Sequence, residues 1–312
     1  MIGDGPNLIS QARQNERRLE VQDMPDENNR PRLGAREAHA WKGLTMDQRR
    51  VSDTWERGSH YEMYVGRWSR RVAPEFLSWL GIPAGRRWLD VGCGTGALCA
   101  AIVDRCSPAS VAGVEPSEGF LETAAQNLAG RARFYRGTAT EIPLDDSSFD
   151  VVVSALVLNF VSDQRGALVE MARVAVEDGT VAAYVWDYAG KMELMRVFWD
   201  TAVELDPRTA GMHEGVRFPM CNPEALQDLF ASAGLNAVMV KPIDIPTPFA
   251  GFDDYWQPFL GGQGPAPAYA MSLDEDARAR LRDRVRERLP MKEDGSISLT
   301  ARAWVIRGNV AK

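Results

Sequence analysis

The sequence predicts an α/β protein built on a doubly wound, Rossmann-like sheet. Three observations carry this. Short β-branched runs alternate with helical patterns between residues 86 and 188, as strands joined by crossover helices do. The run 149–157 is apolar nearly throughout, as expected of a parallel strand covered on both faces. A glycine-rich turn, Asp90-Val91-Gly92-Cys93-Gly94-Thr95-Gly96, joins the first run to a helix; such a turn aims unpaired helix amides at an anionic ligand.

The elements follow in order. Residues 1–50 are rich in Asn, Gln, Arg, Glu, Asp and Pro without apolar periodicity. They cannot offset their ordering entropy and are expected to form a disordered extension. Met24 and Met46 are alternative starts. Phe76, Leu77, Trp79 and Leu80 recur at helical spacing before a turn at 81–85. Strands are expected at 86–91, 111–115, 132–137, 149–157 and 179–188, with helices at 97–105, 117–128 (capped by Ser117) and 163–174. Helices at 192–205 and 223–234 follow, the second opened by Asn222 and closed by Gly234. A sixth strand at 236–243 and a last one at 296–307 flank an insertion, residues 246–295. The chain thus divides into the extension 1–50 and one domain, 51–312, entered through lid helices at 51–84.

Composition excludes several classes. With 36 Lys plus Arg against 43 Asp plus Glu, the net charge is −7, which argues against a nucleic-acid partner. No apolar run approaches the roughly 20 residues that span a bilayer, and the first ten residues lack a signal-peptide pattern. Cys93, Cys99, Cys106 and Cys221 are neither dense nor paired as CxxC, so neither a disulfide framework nor a metal site is expected. A soluble cytoplasmic protein, monomer or homodimer, is the expectation. The run 275–288 interleaves six Arg with four acids around Ala277, Leu281 and Val285, the pattern of a solvated amphipathic helix.

The glycine turn carries the chemistry. Its alternating glycines let the backbone approach a ligand where a side chain would clash. Glu115, about 20 residues on at the end of the second strand, is placed to accept both hydroxyls of an adenosine ribose. Gly92, Gly94 and Ala97 also fit G-x-G-x-x-A, so a nicotinamide-dependent oxidoreductase is an alternative; its Tyr-x-x-x-Lys motif is missing. Asp90 can order the amino group of an amino-acid ligand, and Gly137-Thr138-Ala139 follows the third strand, where an adenine edge would be read.

In order and spacing, the glycine turn, Glu115, Gly137-Thr138 and Phe149-Asp150 resemble the class I S-adenosylmethionine-dependent methyltransferases. The likeness runs from about residue 64 to 188 and is closest to the small-molecule type-11 branch, with its ubiquinone and menaquinone biosynthesis methyltransferases. It implies a seven-stranded sheet with an antiparallel last strand, and S-adenosyl-L-methionine as cofactor. It implies that Gly92, Gly94 and Gly96 line the methionine portion, that Glu115 and the adjoining Pro116 border the ribose, and that Thr138 and Ala139 flank the adenine. Asn159 would face the methyl end. Many relatives carry Asp where this chain has Thr138. A methyltransferase fold kept only for binding is a further alternative.

The acceptor end is less defined, because methyl transfer needs positioning and a dry pocket more than a dedicated triad. Trp55, Tyr61, Tyr64 and Trp68 are candidates for a lid, with Tyr64 or Arg67 near the cofactor. Asp187 and Tyr188, ending the fifth strand, are expected to orient or deprotonate an acceptor, and His213 with Arg217 to lie in the pocket. Residues 252–262, aromatic and glycine-rich, are expected to cover the substrate, or else to form a dimer contact. Cys93 reads as a packing residue. A small, apolar or aromatic acceptor is expected.

Overall fold

The computed structural model describes residues 65–261 and 264–311. Seven strands form there: β1 (Arg87–Val91), β2 (Ser110–Glu115), β3 (Arg133–Arg136), β4 (Phe149–Ala155), β5 (Ala175–Trp186), β6 (Leu235–Phe249) and β7 (Ile297–Val310). They build one sheet in the order β3-β2-β1-β4-β5-β7-β6. β1 pairs in parallel with β2 and β4, β2 with β3, and β4 with β5, whereas β7 runs antiparallel to both β5 and β6. This is the seven-stranded class I methyltransferase fold with its antiparallel last strand. The 1–50 extension, Trp55, Tyr61 and Tyr64 lie outside the described residues.

Ten helices surround the sheet among the described residues: α1 (Arg67–Leu80), α2 (Ala97–Arg105), α3 (Glu118–Leu128), α4 (Gln164–Val174), α5 (Glu193–Leu205), α6 (Glu214–Arg217), α7 (Pro223–Ser232), α8 (Phe252–Trp256), α9 (Pro265–Ser272) and α10 (Glu275–Arg288). Several start where a short polar side chain takes an orphan amide. Ser117 Oγ accepts from Phe120 N–H at 3.4 Å, Asp163 Oδ1 from Gly166 at 2.8 Å and Asn222 Oδ1 from Ala225 at 2.9 Å. The strand order reverses between β1 and β4, which opens a crevice at their carboxyl ends where ligands bind in such sheets.

β6 is longer than its apolar pattern predicts. It pairs with β7 as far as Phe249↔Ile297, through Pro242, Pro246 and Pro248. These prolines are tolerated because β6 is an edge strand, with one side free of ladder hydrogen bonds. The insertion therefore begins after Phe249. Its aromatic residues neither cover the site nor face outward, contrary to the expectation from sequence. Phe259 is fully buried and stacks on Phe198 of α5, with ring centroids 4.5 Å apart. Tyr255 donates its hydroxyl to Leu194 O at 2.7 Å. Trp256 packs against Phe252 and Phe259. A second aromatic core results, because burying these rings beside α5 removes large apolar area from water. α10 packs as its stripe predicts, with Ala277, Leu281 and Val285 buried and Arg284 and Arg288 paired to Glu204.

Candidate functional site

The crevice holds a cavity of about 420 Å³ walled by the glycine turn, β4, β5, α1 and α2. The turn is built by left-handed backbone, with φ of +75° at Gly92, +53° at Gly94 and +84° at Gly96. Gly92 and Cys93 donate their amides to Val114 O at 2.8 and 3.1 Å, tying the turn to β2. A Cβ on Gly92 would stand 2.6 Å from a Val157 methyl, so only glycine fits between β1 and the segment after β4. Gly94 faces open space and borders the cavity. Gly96 does not line it. A Cβ there would meet Leu128 and Ala124 of α3, so its role is close packing of the turn on that helix.

Two carboxylates stand beside the turn. Glu115 Oε1 accepts from Ser117 N–H at 3.0 Å and Oε2 from Gly94 N–H at 3.2 Å. Burial raises its pKa, partly offset by these two amides. Asp90, 1 % exposed, accepts the Cys99 thiol on Oδ2 at 3.4 Å, while its Oδ1 has no protein partner. Burial pushes its carboxyl up to about 7; the Cys99 hydrogen bond opposes that rise and the Glu115 charge adds to it. A buried acceptor atom without a donor is costly alone. It fits a site that receives a cationic donor.

The remaining wall is apolar and aromatic. Tyr184 and Trp186 share one face of β5, and Tyr188 follows just beyond. Leu156, Val157 and Phe160 approach from the end of β4, and Met195 from α5. Leu156 adopts φ +59°, which costs a non-glycine residue about 1 kcal/mol. Its amide N–H donates a hydrogen bond to Tyr184 O at 2.8 Å, which helps to hold this conformation.

The structure thus brings Asp90, Gly92, Gly94, Glu115 and Tyr188 to one cavity and leaves other predicted residues off its wall. Arg67 is taken by Asp254 of α8 at 2.9 Å and lies over the Trp68 and Phe249 rings at 4.3 and 4.8 Å. Arg70, one turn further along α1, faces the cavity in its place, beside Ser69, Ala73 and Pro74. His213 caps α6, its Nδ1 accepting from Gly215 N–H at 2.9 Å, and its Nε2 points to Asp200 Oδ1 at 3.6 Å. Burial lowers its pKa, so the ring is a neutral cap. Pro116 and Thr138 are exposed, Thr138 bridging to Glu141, and neither these nor Ala139 line the cavity. Asn159 is buried in the turn after β4, and neither amide atom has a protein partner.

Asp187 also departs from its expected role. Its Oδ1 accepts from Gly190 N–H at 3.0 Å and its Oδ2 from Lys191 N–H at 2.9 Å, so both oxygens cap the turn into α5. Asp187→Ala should therefore lower stability by about 1–2 kcal/mol, the cost of losing such a cap, as read by urea denaturation. Its affinity for S-adenosylhomocysteine should stay unchanged. Weakened binding at unchanged stability would return Asp187 to the site. Trp186, at the end of the fifth strand and so on the expected functional rim, does line the cavity. The residues missed in the sequence, Arg70, Phe160 and Met195, carried only a helical or loop position as signal.

A doubly wound sheet with a glycine turn after its first strand and a buried carboxylate at the end of its second defines a Rossmann-like fold of the nucleotide-cofactor type. Within it, residues 89–183 match the family described as a methyltransferase domain. A malonyl-[acyl-carrier protein] O-methyltransferase from Geobacter sulfurreducens is 30% identical over 202 residues, 62% of this chain and 73% of that protein. The chain belongs to the S-adenosylmethionine-dependent methyltransferases, type-11 branch, which sets aside the nicotinamide reading. A demethylmenaquinone methyltransferase from Clavibacter sepedonicus is 40% identical over 100 residues, 31% of this chain. That match spans only 40% of the relative's own length. Among solved structures, the YcgJ protein from Bacillus subtilis has a TM-score of 0.51 at 20% identity, covering 78% of this chain and 99% of its own. The [4+2]-cyclase SpnF, with a TM-score of 0.50 at 18% identity, covers 83% of this chain and 86% of its own. The fold alone therefore does not name the reaction.

Proposed function

We propose that this methyltransferase acts on a small, flat, apolar or aromatic acceptor. One observation carries the reading: the glycine turn with its two carboxylates and the aromatic wall of Tyr184, Trp186, Tyr188 and Phe160 border the same cavity. When bound, S-adenosylmethionine supplies an electrophilic methyl group on a sulfonium. The residues present fit it. Asp90 Oδ1, buried and without a donor, receives the ammonium; Glu115 receives the ribose hydroxyls; Gly94 leaves room for close approach. Thr138, Ala139 and Pro116 remain candidates for the adenine side and Asn159 for the methyl end. Ring stacking on the β5 side chains orients a planar acceptor, and their bulk excludes water, which favours a step that disperses charge. Tyr188 is placed to orient an acceptor hydroxyl.

The relative named for demethylmenaquinone supports a small acceptor in this branch, whereas the acceptor named for the malonyl-[acyl-carrier protein] relative is carried on a protein. The net charge of −7 supports a small acceptor over nucleic acid. No helix among the described residues is long and apolar enough to cross a membrane. We place the enzyme in the cytoplasm as a monomer or homodimer. For the described part of the expected lid, residues 65–84, support comes from Val65, buried on the cavity wall, and from the Ser69–Pro74 face of α1; residues 51–64 lie outside the described ones.

S-Adenosylhomocysteine at 100 times its Kd should add about 2.7 kcal/mol of stability and raise Tm by roughly 5–10 °C, while NADH at equal concentration leaves Tm unchanged. With methyl-labelled cofactor, transfer into 1,4-dihydroxynaphthalene or a catechol is expected. Label entering only total tRNA or an acidic peptide would sink the small-acceptor reading.

A further inference from the structure

The two oxygens of Asp90 are treated differently by the protein. Oδ2 accepts the thiol of Cys99, in the first turn of α2, at 3.4 Å, and Oδ1 is buried without a partner. Cys99 is fully buried. A second thiol, that of Cys93, lies over Gly113, so close that a Cβ there would come within 2.7 Å of its sulfur. Gly113 is the register partner of Asp90 across β1 and β2. The carboxylate is therefore enclosed by a packed strand on one side and a buried thiol on the other, with one oxygen left over.

We propose that Cys99 is a positioning residue for cofactor binding: its thiol holds Asp90 Oδ2 so that Oδ1 is presented to the cofactor's ammonium group. The inference rests on the reading of Asp90 as the ammonium's partner. A thiol suits the task because it is a neutral donor. It favours the carboxylate over the carboxylic acid without bringing a charge that would compete with the ammonium. The hydrogen bond with the neighbouring Cys93 thiol, burial and the Asp90 charge all raise the Cys99 pKa, so it stays protonated and remains a donor.

The other groups facing Asp90 are few. Glu115 of β2 opposes its ionisation, and Cys93 of the glycine turn adjoins Cys99. Arg70 of α1 and Arg105 of α2 line the same cavity. With Asp90 titrating at about 7, the ammonium meets an ionised partner only as the pH rises through that value. Affinity below it falls by up to tenfold per pH unit. Removing the thiol hydrogen bond moves this midpoint upward.

The test is calorimetric titration at pH 6.5, 7.5 and 8.5 with two probes. S-Adenosylhomocysteine carries the ammonium; 5′-methylthioadenosine lacks it. In wild type, affinity for the first should rise several-fold across this range and affinity for the second should stay flat. Cys99→Ala should bind S-adenosylhomocysteine about threefold more weakly at pH 7.5 and nearly tenfold more weakly at pH 6.5, the effect of a midpoint about one unit higher. The gap should close to under about 1.5-fold at pH 8.5, with 5′-methylthioadenosine unaffected. Cys99→Ser keeps a donor and should stay within about twofold of wild type throughout.

Equal weakening at all three pH values, or equal weakening of both probes, would mean a packing defect and overturn the proposal. Asp90→Asn separates the two layers. If that variant keeps wild-type affinity and pH profile, the reading of Asp90 fails and takes the proposal with it. If it loses affinity while Cys99→Ala matches wild type, only the role of Cys99 falls.

Discussion

Glu115→Ala should weaken S-adenosylhomocysteine binding about 100-fold, or about 2.7 kcal/mol. The carboxylate stands at the end of β2, 8 % exposed, inside the cavity that also holds the glycine turn. Hydrogen bonds to a charged, desolvated acceptor contribute about 1.5–3 kcal/mol each, and two ribose hydroxyls converge on this group in the proposed pose. The loss also releases the Gly94 and Ser117 amides that the carboxylate now holds, so the turn loosens as the acceptor disappears. Glu115→Gln retains an acceptor without the charge and should lose roughly tenfold. Calorimetry with the homocysteine product reads both variants. An alanine variant of undiminished affinity would place the ribose elsewhere.

Gly92→Ala should destabilise the fold by about 3 kcal/mol and abolish measurable cofactor binding. A φ of +75° costs an L-residue about 1 kcal/mol. The added methyl would meet both Val157 methyls, at 2.6 and 2.7 Å, and overpacking of this kind costs about 1–3 kcal/mol. Gly94→Ala is the matched control. Its φ of +53° carries similar backbone strain, but nothing lies within 4 Å of the new Cβ, so about 1 kcal/mol should be lost. Urea denaturation separates the two, and Val157→Ala in the Gly92→Ala background should recover part of the loss. Equal costs at both glycines would show that the contact with Val157 does not hold the turn.

Much of the fold was legible because it is encoded locally. The α2 range coincides with the one expected from the glycine turn and the apolar positions behind it. Ser117 and Asn222 cap the helices they were read to cap. β6 was read as ending at 243, although it continues through Pro246 and Pro248 to Phe249, because nothing local announces an edge strand that tolerates them. The aromatic run 252–260 was legible as something to be buried. Its direction was not, since Phe198 lies some 60 residues earlier in the chain.

The same division holds in the site. Asp90, Gly92, Gly94 and Glu115 were found from order and spacing, because strand ends in a doubly wound sheet point at one crevice whatever surrounds them. Arg67 and Arg70 carry the same charge on the same helix, yet Arg67 is held by Asp254, 187 residues away, and Arg70 borders the cavity. Asp187 and His213 looked like acid–base groups by type. The amides of Gly190, Lys191 and Gly215 make them caps.

The sequence by itself determined the sheet, its family and the cofactor turn, since these follow from periodicity, glycine conformation and the spacing of strand ends. The tertiary structure alone decided which polar side chains remain available to a ligand and which aromatic rings face it. That choice depends on partners far away in the chain, whose hydrogen bonds and packing commit a group before any ligand arrives.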